Sequence, residues 1–364
     1  MHAQDNSAAL VEQVTVAAQT GFPLAISGGA TKLERGERVE TAQCQPLSTL
    51  EHRGIISYEP TELVVSVRAG TPVHDLCDRL DAADQMLPFD PPLLPESTIG
   101  GVIACGLSGP RRPFTGAARD FVLGTRIING LGQDLAFGGE VMKNVAGYDV
   151  SRLQVGAWGT LGVILDISMK VLPKPEIELS LVMETSNRDP DSFSAWLRKP
   201  LPLSAAMLLD GKRYFRLSGS ASAVQAARHQ IGGDVLPEGD TLWNSIRDLT
   251  HEFFLFDRDS DQALWRISVA DHAPVLELPG RWLLDWAGAQ RWLISDAPAA
   301  AVYRAASNAG GHAMRCAGGD LSQPAFQPLS GAMLRLQSRL RDSFDPQRLF
   351  NRGRFHPELD VVKR

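Results

Sequence analysis

With 364 residues, 44% hydrophobic and 21% charged, the chain has the make-up of a folded protein long enough for two sizeable cores, not of a disordered one. A formal net charge of −6 argues against a nucleic-acid partner, which needs clustered excess lysine and arginine. The cysteines Cys44, Cys77, Cys105 and Cys316 lie far apart with no C-x-x-C pair, which argues against a zinc ribbon or iron–sulfur cluster in this chain and fits a reduced, cytosolic setting.

The N-terminal MHAQDNSAALVEQV has no basic stretch leading into an apolar run, and no long uncharged apolar segment follows, so neither a signal peptide nor a membrane-spanning helix is expected. Asp5, Asn6 or Ser7 can cap a first helix with Leu10, Val14, Ala17 and Ala18 on one face, ended by Gly21 and Pro23. Leu24 to Ile26 read as a strand, followed by the small-residue loop Ser27-Gly28-Gly29-Ala30-Thr31-Lys32. Two further strands, Ile55 to Tyr58 and Leu63 to Arg68, flank the turn Glu59-Pro60-Thr61-Glu62. Thr71 then caps a helix that has Pro72 at its first position and buries Val73, Leu76, Leu80 and Ala83. His74 on that helix reads as a surface residue and Cys77 as a core thiol.

Met86 to Pro95 holds four prolines and is expected to be a rigid crossing that delivers Ser97 to Gly101. From Pro95 to Ile164 glycines arrive in clusters separated by β-branched runs, which reads as turns between strands where backbone N–H groups can crowd a bound group. Ser97 and Thr98 with Arg111, Arg112, Arg119 and Lys143 suit an anion such as a pyrophosphate. Gly130-Leu131-Gly132 is not a dinucleotide fingerprint, because Leu135 holds the third glycine position and Asn129-Gly130 signals a hairpin. The strand from Leu165 ends at Pro173-Lys174-Pro175, the first expected domain boundary.

Beyond it, Ile177 to Met183, Tyr214 to Leu217, Ala263 to Val269, Trp282 to Leu284 and Trp292 to Ser295 read as strands, and Ala221 to Ile231 and Ala299 to Ala309 as helices, the mixture of an α+β layer. Arg216, Arg266 and Arg291 are candidates to grip a substrate carboxylate, Arg266 foremost, since a guanidinium can do so through two bonds. A last helix carries the apolar stripe Met333, Leu336 and Leu340 and stops at Phe344-Asp345-Pro346. Arg348, Arg352, Arg354, Lys363 and Arg364 read as a solvated basic tail.

The order of several of these segments resembles the FAD-binding family typified by vanillyl-alcohol oxidase and p-cresol methylhydroxylase (PCMH). The segments are Ile26 to Lys32, Val67-Arg68-Ala69-Gly70, Pro95-Glu96-Ser97-Thr98-Ile99-Gly100-Gly101 and Gly156 to Ile164. Within that family, GPRRPFTGAARDFVLGTRIINGLGQDLAFGGEVMKNVAGYDVSRL is similar to the small FAD-binding subunits of bacterial glycolate oxidases, strongly over the first half of the chain. The resemblance implies an α+β fold: a PCMH-type FAD-binding domain of two α+β subdomains over 1–173, a smaller α+β cap domain over 174–329, and a C-terminal helix and tail over 330–364 packing back on the first domain. Phe344 to Arg354 resembles the family's closing FDP…FNPGR segment, with Arg352 where proline is usual.

The same resemblance implies FAD contacts for Ser27, Gly28, Gly29, Ala30, Thr31, Lys32, Pro95, Ser97, Thr98, Gly100, Gly101, Gly109, Arg119, Asp120, Lys143, Asn144, Gly147, Tyr148, Gly159, Gly162, Val163 and Ile164. Family members that attach flavin covalently use a histidine in the Gly-Gly loop; Ser27 to Lys32 has none, which implies non-covalent FAD. Lys143 to Asp149 offers a cation, an amide, a phenol and a carboxylate that could bond the flavin ring.

Members that use a metal on 2-hydroxy acids carry closely spaced cap histidines. None of His2, His52, His74, His229, His251, His272, His312 and His356 pairs at such spacing, so no metal is expected. Oxidation of a 2-hydroxy acid needs a base, a carboxylate clamp and flavin N5 as hydride acceptor. Only Arg266, His312 and Tyr148 offer themselves for the first two roles. The resemblance therefore implies a subunit of a glycolate oxidase complex, with a larger flavin subunit, an iron–sulfur partner, and contact with the inner membrane only through partners. A self-sufficient 2-hydroxy-acid dehydrogenase and a structural subunit without FAD are the alternatives.

Overall fold

The computed structural model describes residues 3–37, 43–139, 149–186 and 193–360. The chain separates into two units, one of Met1–Leu107, Ala117–Pro173 and Pro328–Arg364 and the other of Ser108–Gly116 and Lys174–Gln327.

The first unit is built on a five-stranded antiparallel sheet, in the order Ile55–Glu59, Val64–Arg68, Val163–Lys170, Val122–Ile128, Asp134–Gly138. Successive side chains of a strand point to opposite faces. Ile127 and Ile164 accordingly join a core with Val65, Leu76, Leu80, Phe89, Ile99, Val102 and Ile103, under the helices Val73–Asp81 and Ile99–Cys105. Ile128, Val163 and Leu165 join a second core with Leu10, Val14, Leu24, Leu47, Leu349 and Phe350, under the helix Ser7–Thr20 and the parallel pair Leu24–Ser27 and Gln45–Ser48. Two small α+β layers thus share one sheet. The hairpin at Asn129 is pinned by its own side chain, whose Oδ1 accepts from the N–H groups of Leu131 and Gln133, both at 3.0 Å.

Several details differ from the sequence reading, among them that Arg348 and Arg354, expected in a solvated basic tail, are buried. Thr71 is no helix cap, because its hydroxyl accepts the Gly54 N–H at 2.8 Å. Ile99–Cys105 is a helix where strand-joining turns were expected. Thr98 caps it by accepting the Gly101 N–H at 3.2 Å, and Gly100 lets it approach Ala69, where an added Cβ would lie 2.7 Å from the alanine methyl. The C-terminal helix Gly331–Phe344 exposes Met333 (43%) and Leu336 (61%) and is anchored instead by buried Arg341, which donates to the Phe350 carbonyl at 2.9 Å and pairs with Asp360 at 2.6 Å.

The second unit carries an eight-stranded antiparallel sheet among the described residues, in the order Asp234–Val235, Ile177–Glu184, Lys212–Gly219, Leu203–Leu209, Arg281–Asp285, Gln290–Ser295, Ala263–Ser268, His312–Gly318. Helices Ala221–Ile231, Gly239–Asp248 and Ala299–Asn308 close its cores. Ser108–Gly116, which the sequence reading counted in the first domain, belongs to this unit. Arg111 explains why: its guanidinium, 5% exposed, pairs with Glu178 at 2.6 Å and donates to the Ser218 hydroxyl at 3.3 Å. Among the described residues no helix is long and apolar enough to cross a membrane.

Candidate functional site

In the first unit the loop after Leu24–Ser27, the start of the helix Ile99–Cys105, the turn Trp158–Gly162 and the C-terminal Asn351 and Arg354 converge on one cleft. It holds about 690 Å³ of empty space, counting the part open to solvent. Its walls are backbone because glycine allows close approach. A Cβ on Gly28 would overlap the Thr98 hydroxyl, and one on Gly29 the Glu96 carbonyl. Gly159 adopts φ +69°, and a Cβ there would lie 2.7 Å from Asn351 Nδ2.

Asn351 fixes the floor. Its Oδ1 accepts the Ile26 N–H at 2.7 Å and its Nδ2 donates to the Trp158 carbonyl at 2.9 Å, so one side chain sets the phosphate-type loop against the Trp158–Gly162 turn. Arg354, 6% exposed, donates to the carbonyls of Leu33 at 2.6 Å, Glu37 at 3.0 Å and Lys32, and lies over the Trp158 ring at 5.3 Å. Lys32, 7% exposed, donates to Ser97 Oγ at 2.5 Å and Thr31 Oγ1 at 2.9 Å. Burial pushes the Lys32 ammonium down to about 8, Cys105 acting upward and Arg35 downward. The Cys105 thiol is pushed up by burial, against the pull of Lys32, Arg354 and Arg35.

Of the residues singled out from sequence, Ser27, Gly28, Gly29, Ala30, Thr31, Lys32, Thr98, Gly100, Gly101, Gly159, Gly162 and Ile164 line this cleft, and Ser97 touches it through Lys32. Pro95, Val163, Arg119 and Asp120 do not line it. Pro95 and Arg119 are exposed, Val163 is core, and the Asp120 carboxylate accepts the Ala117 N–H at 2.8 Å. Gly109 belongs to the second unit, where its carbonyl accepts the Trp286 indole N–H at 3.0 Å. Arg111 and Arg112 belong there too, so among the described residues the cations that line the cleft are Lys32, an expected contact, and Arg354, and not Arg111, Arg112 or Arg119. Lys143, Asn144, Gly147 and Tyr148 lie outside the described residues. The sequence reading missed Thr49, Ala104, Cys105, Trp158, Asn351 and Arg354; the closing segment's resemblance was the signal for the last two.

In the second unit Arg291 and Arg216 are structural, not clamps. Arg291, 1% exposed, donates to the carbonyls of Gly288 at 3.0 Å, Pro274 at 2.5 Å and Ala273. Arg216 donates to Ser204 Oγ at 3.0 Å and lies over the Trp243 ring at 5.6 Å. Arg266 differs: it lies 5.3 Å over the Trp286 ring, which Arg112 covers at 4.3 Å, and its Nε donates to Gln290 at 2.6 Å. The register pairs Ser268 with His312 and Arg266 with Met314, which puts Arg266 and His312 on one face of the sheet. Desolvation of the His312 imidazole, then the Arg266 and Arg112 charges, push its pKa below the ordinary histidine value, although the residue still reaches solvent. Among the described residues no three His, Cys, Asp or Glu side chains gather as a metal site.

A backbone-walled cleft with two buried cations is the arrangement of a site for an anionic cofactor. A family model described as an FAD binding domain matches residues 3–137, and a solved structure of alkyldihydroxyacetonephosphate synthase aligns over 94% of this chain and 74% of its own with TM-score 0.66 at 16% identity. The chain is thus a protein of the PCMH-type FAD-binding fold. Glycolate oxidase subunit GlcE of Escherichia coli (strain K12) is 46% identical over 357 residues, 98% of this chain and 99% of the relative. Glycolate oxidase subunit GlcD of Bacillus subtilis (strain 168) is 34% identical over 135 residues, 37% of this chain and 29% of the relative. The chain belongs to the glycolate oxidase subunit GlcE family.

Proposed function

We propose that this chain is the FAD-carrying subunit of a glycolate oxidase complex, taking part in the oxidation of glycolate to glyoxylate. The observation that carries the reading is the 46% identity to a glycolate oxidase subunit across essentially both full lengths, joined to a cleft whose glycines permit backbone contact with a diphosphate. FAD, when bound, would supply the acceptor for the hydride, and with it the two electrons, that leaves the carbon of a 2-hydroxy acid, while the hydroxyl proton passes to a base. The chain's own residues hold it without a covalent bond: Ser27 to Lys32 from one side, Ser97, Thr98, Gly100 and Gly101 from the other, with Gly159, Gly162 and Ile164 closing the cleft. The first unit then serves as the FAD domain and the second as the cap.

Arg266 and Arg112, stacked on Trp286 beside a His312 whose imidazole is held toward its neutral form, make a face that fits a small carboxylate. This observation favours a second reading, in which the chain oxidises a 2-hydroxy acid unaided with His312 as base. Electrons leaving the flavin need a carrier that the four scattered cysteines do not supply, which supports an iron–sulfur partner; a larger flavin subunit, and the inner membrane reached through the partners, complete the proposal.

The test is the visible spectrum of the purified chain, with glycolate then added without oxygen. Yellow protein that stays yellow supports the complex subunit, and bleaching supports the self-sufficient dehydrogenase. A colourless chain that refuses added FAD refutes both.

A further inference from the structure

A buried ammonium ordinarily has an anionic partner. Among the described residues Lys32 has hydroxyls instead, Thr31 Oγ1 and Ser97 Oγ. Among the described residues the charged and titratable groups around it are Arg35 on its own loop, Cys105 on the helix Ile99–Cys105, and Arg354 on the C-terminal segment. Of the described carboxylates on the flanking segments, Glu34 and Glu96 are exposed, and Glu37 acts on Arg354. The two cations of the cleft also differ in freedom. Arg354 gives its donors to three backbone carbonyls, whereas the partners of Lys32 are hydroxyls that can rotate to donate to a newcomer. Gly101 leaves the approach open, since even a Cβ there would stay 3.8 Å from Nζ.

Resting on the reading that this cleft takes FAD, we infer that Lys32 is the charge that retains the cofactor's diphosphate and that FAD binding is coupled to a proton held on this ammonium. The sign follows from the chain without FAD, where burial holds Lys32 at about 8 and an adjacent diphosphate would raise it. Affinity scales with the protonated fraction, so it is flat below about pH 7, about twofold weaker at pH 8 and about tenfold weaker at pH 9.

The test is a titration of the full, flavin-stripped chain with FAD, followed by quenching of flavin fluorescence across neutral to alkaline pH. The wild type should lose about tenfold in affinity between pH 7 and pH 9. Lys32→Arg, whose charge is permanent, should show no such loss, and Cys105→Ser should keep the wild-type slope. Calorimetry of the wild type at pH 8, in buffers of different ionisation heat, should show about half a proton taken up per FAD, a measurement that needs no variant to fold. A flat wild-type profile, an equal loss in Lys32→Arg, a slope abolished by Cys105→Ser, or no proton uptake overturns the inference while leaving FAD in the cleft. A wild type that binds no FAD at any pH overturns the FAD reading itself.

Discussion

Replacing Asn351 by alanine removes two bonds that the rest of the cleft depends on. The Ile26 N–H at 2.7 Å loses its acceptor and the Trp158 carbonyl at 2.9 Å its donor, while Asn351 itself is 7% exposed. Leaving a buried polar group unsatisfied costs about 1–3 kcal/mol, so the pair contributes roughly 2–4 kcal/mol after partial relaxation. The backbone of residue 351, at φ 42°, adds to this, because asparagine tolerates the left-handed region better than alanine. In a folding unit of around 200 residues each kcal/mol moves Tm by about 2–4 °C, which gives a fall of about 4–16 °C. Differential scanning fluorimetry of the FAD-free chain measures that fall. FAD affinity should drop alongside it, because the loop Ser27 to Lys32 and the turn at Gly159 lose their common support. Asn351→Asp retains the acceptor for Ile26 but sets an acceptor-only carboxylate oxygen against the Trp158 carbonyl in a buried site, so it should not restore the wild-type Tm at neutral pH. An Asn351→Ala chain with wild-type Tm and wild-type FAD affinity would refute the claim that this side chain holds the cleft together.

Gly101→Glu should abolish FAD retention, since a Cβ added there would lie 3.2 Å from the Thr98 hydroxyl and the carboxylate would repel a diphosphate; a folded variant that purifies yellow contradicts the placement. Arg354→Met strips donors from the carbonyls of Lys32, Leu33 and Glu37, so trypsin should cut after Arg35 at least ~5-fold faster than in the wild type, which timed digestion followed by mass spectrometry reads directly. For Glu178, burial alone would raise the carboxyl, but Arg111, Arg216 and the Ser218 hydroxyl outweigh it and hold the pKa below the ordinary glutamate value. A depressed carboxylate contributes stability that is complete above its unfolded pKa and is lost as pH falls through the folded one. The second unit should therefore lose stability in acid below the ordinary glutamate range, and Arg111→Met should flatten that part of the profile in pH-dependent thermal unfolding.

The glycines of the cleft were legible because steric exclusion leaves a mark in the sequence: only glycine fits where Gly28 meets Thr98 or Gly29 meets Glu96. The strand Leu203–Leu209, LSAAMLL, carries no such mark. Alanine, leucine and methionine favour helix locally, and burial between Lys212–Gly219 and Arg281–Asp285 overrides that preference. The short helix Ile99–Cys105 was hidden for the converse reason. Its paired glycines are poor helix formers, and it is held by the Thr98 cap and by the close approach to Ala69.

Charge misled in a consistent way. Arg348, Arg354, Arg291 and Arg341 invite a reading as solvated or ligand-binding cations, yet each is at most 6% exposed and spends guanidinium donors on backbone carbonyls. A carbonyl is contributed by every residue type, so a contact to it leaves no trace in the partner's identity and cannot be anticipated from a single sequence. The two cleft cations divide along this line. Arg354, anonymous in its partners, builds the loop, and Lys32, bonded to the side-chain hydroxyls of Thr31 and Ser97, could be anticipated because those residue types stand beside the glycine pairs they serve. Residues that meet a ligand through side-chain chemistry are therefore the readable part of such a site, and the residues that hold the loops in place for them become visible only in the fold.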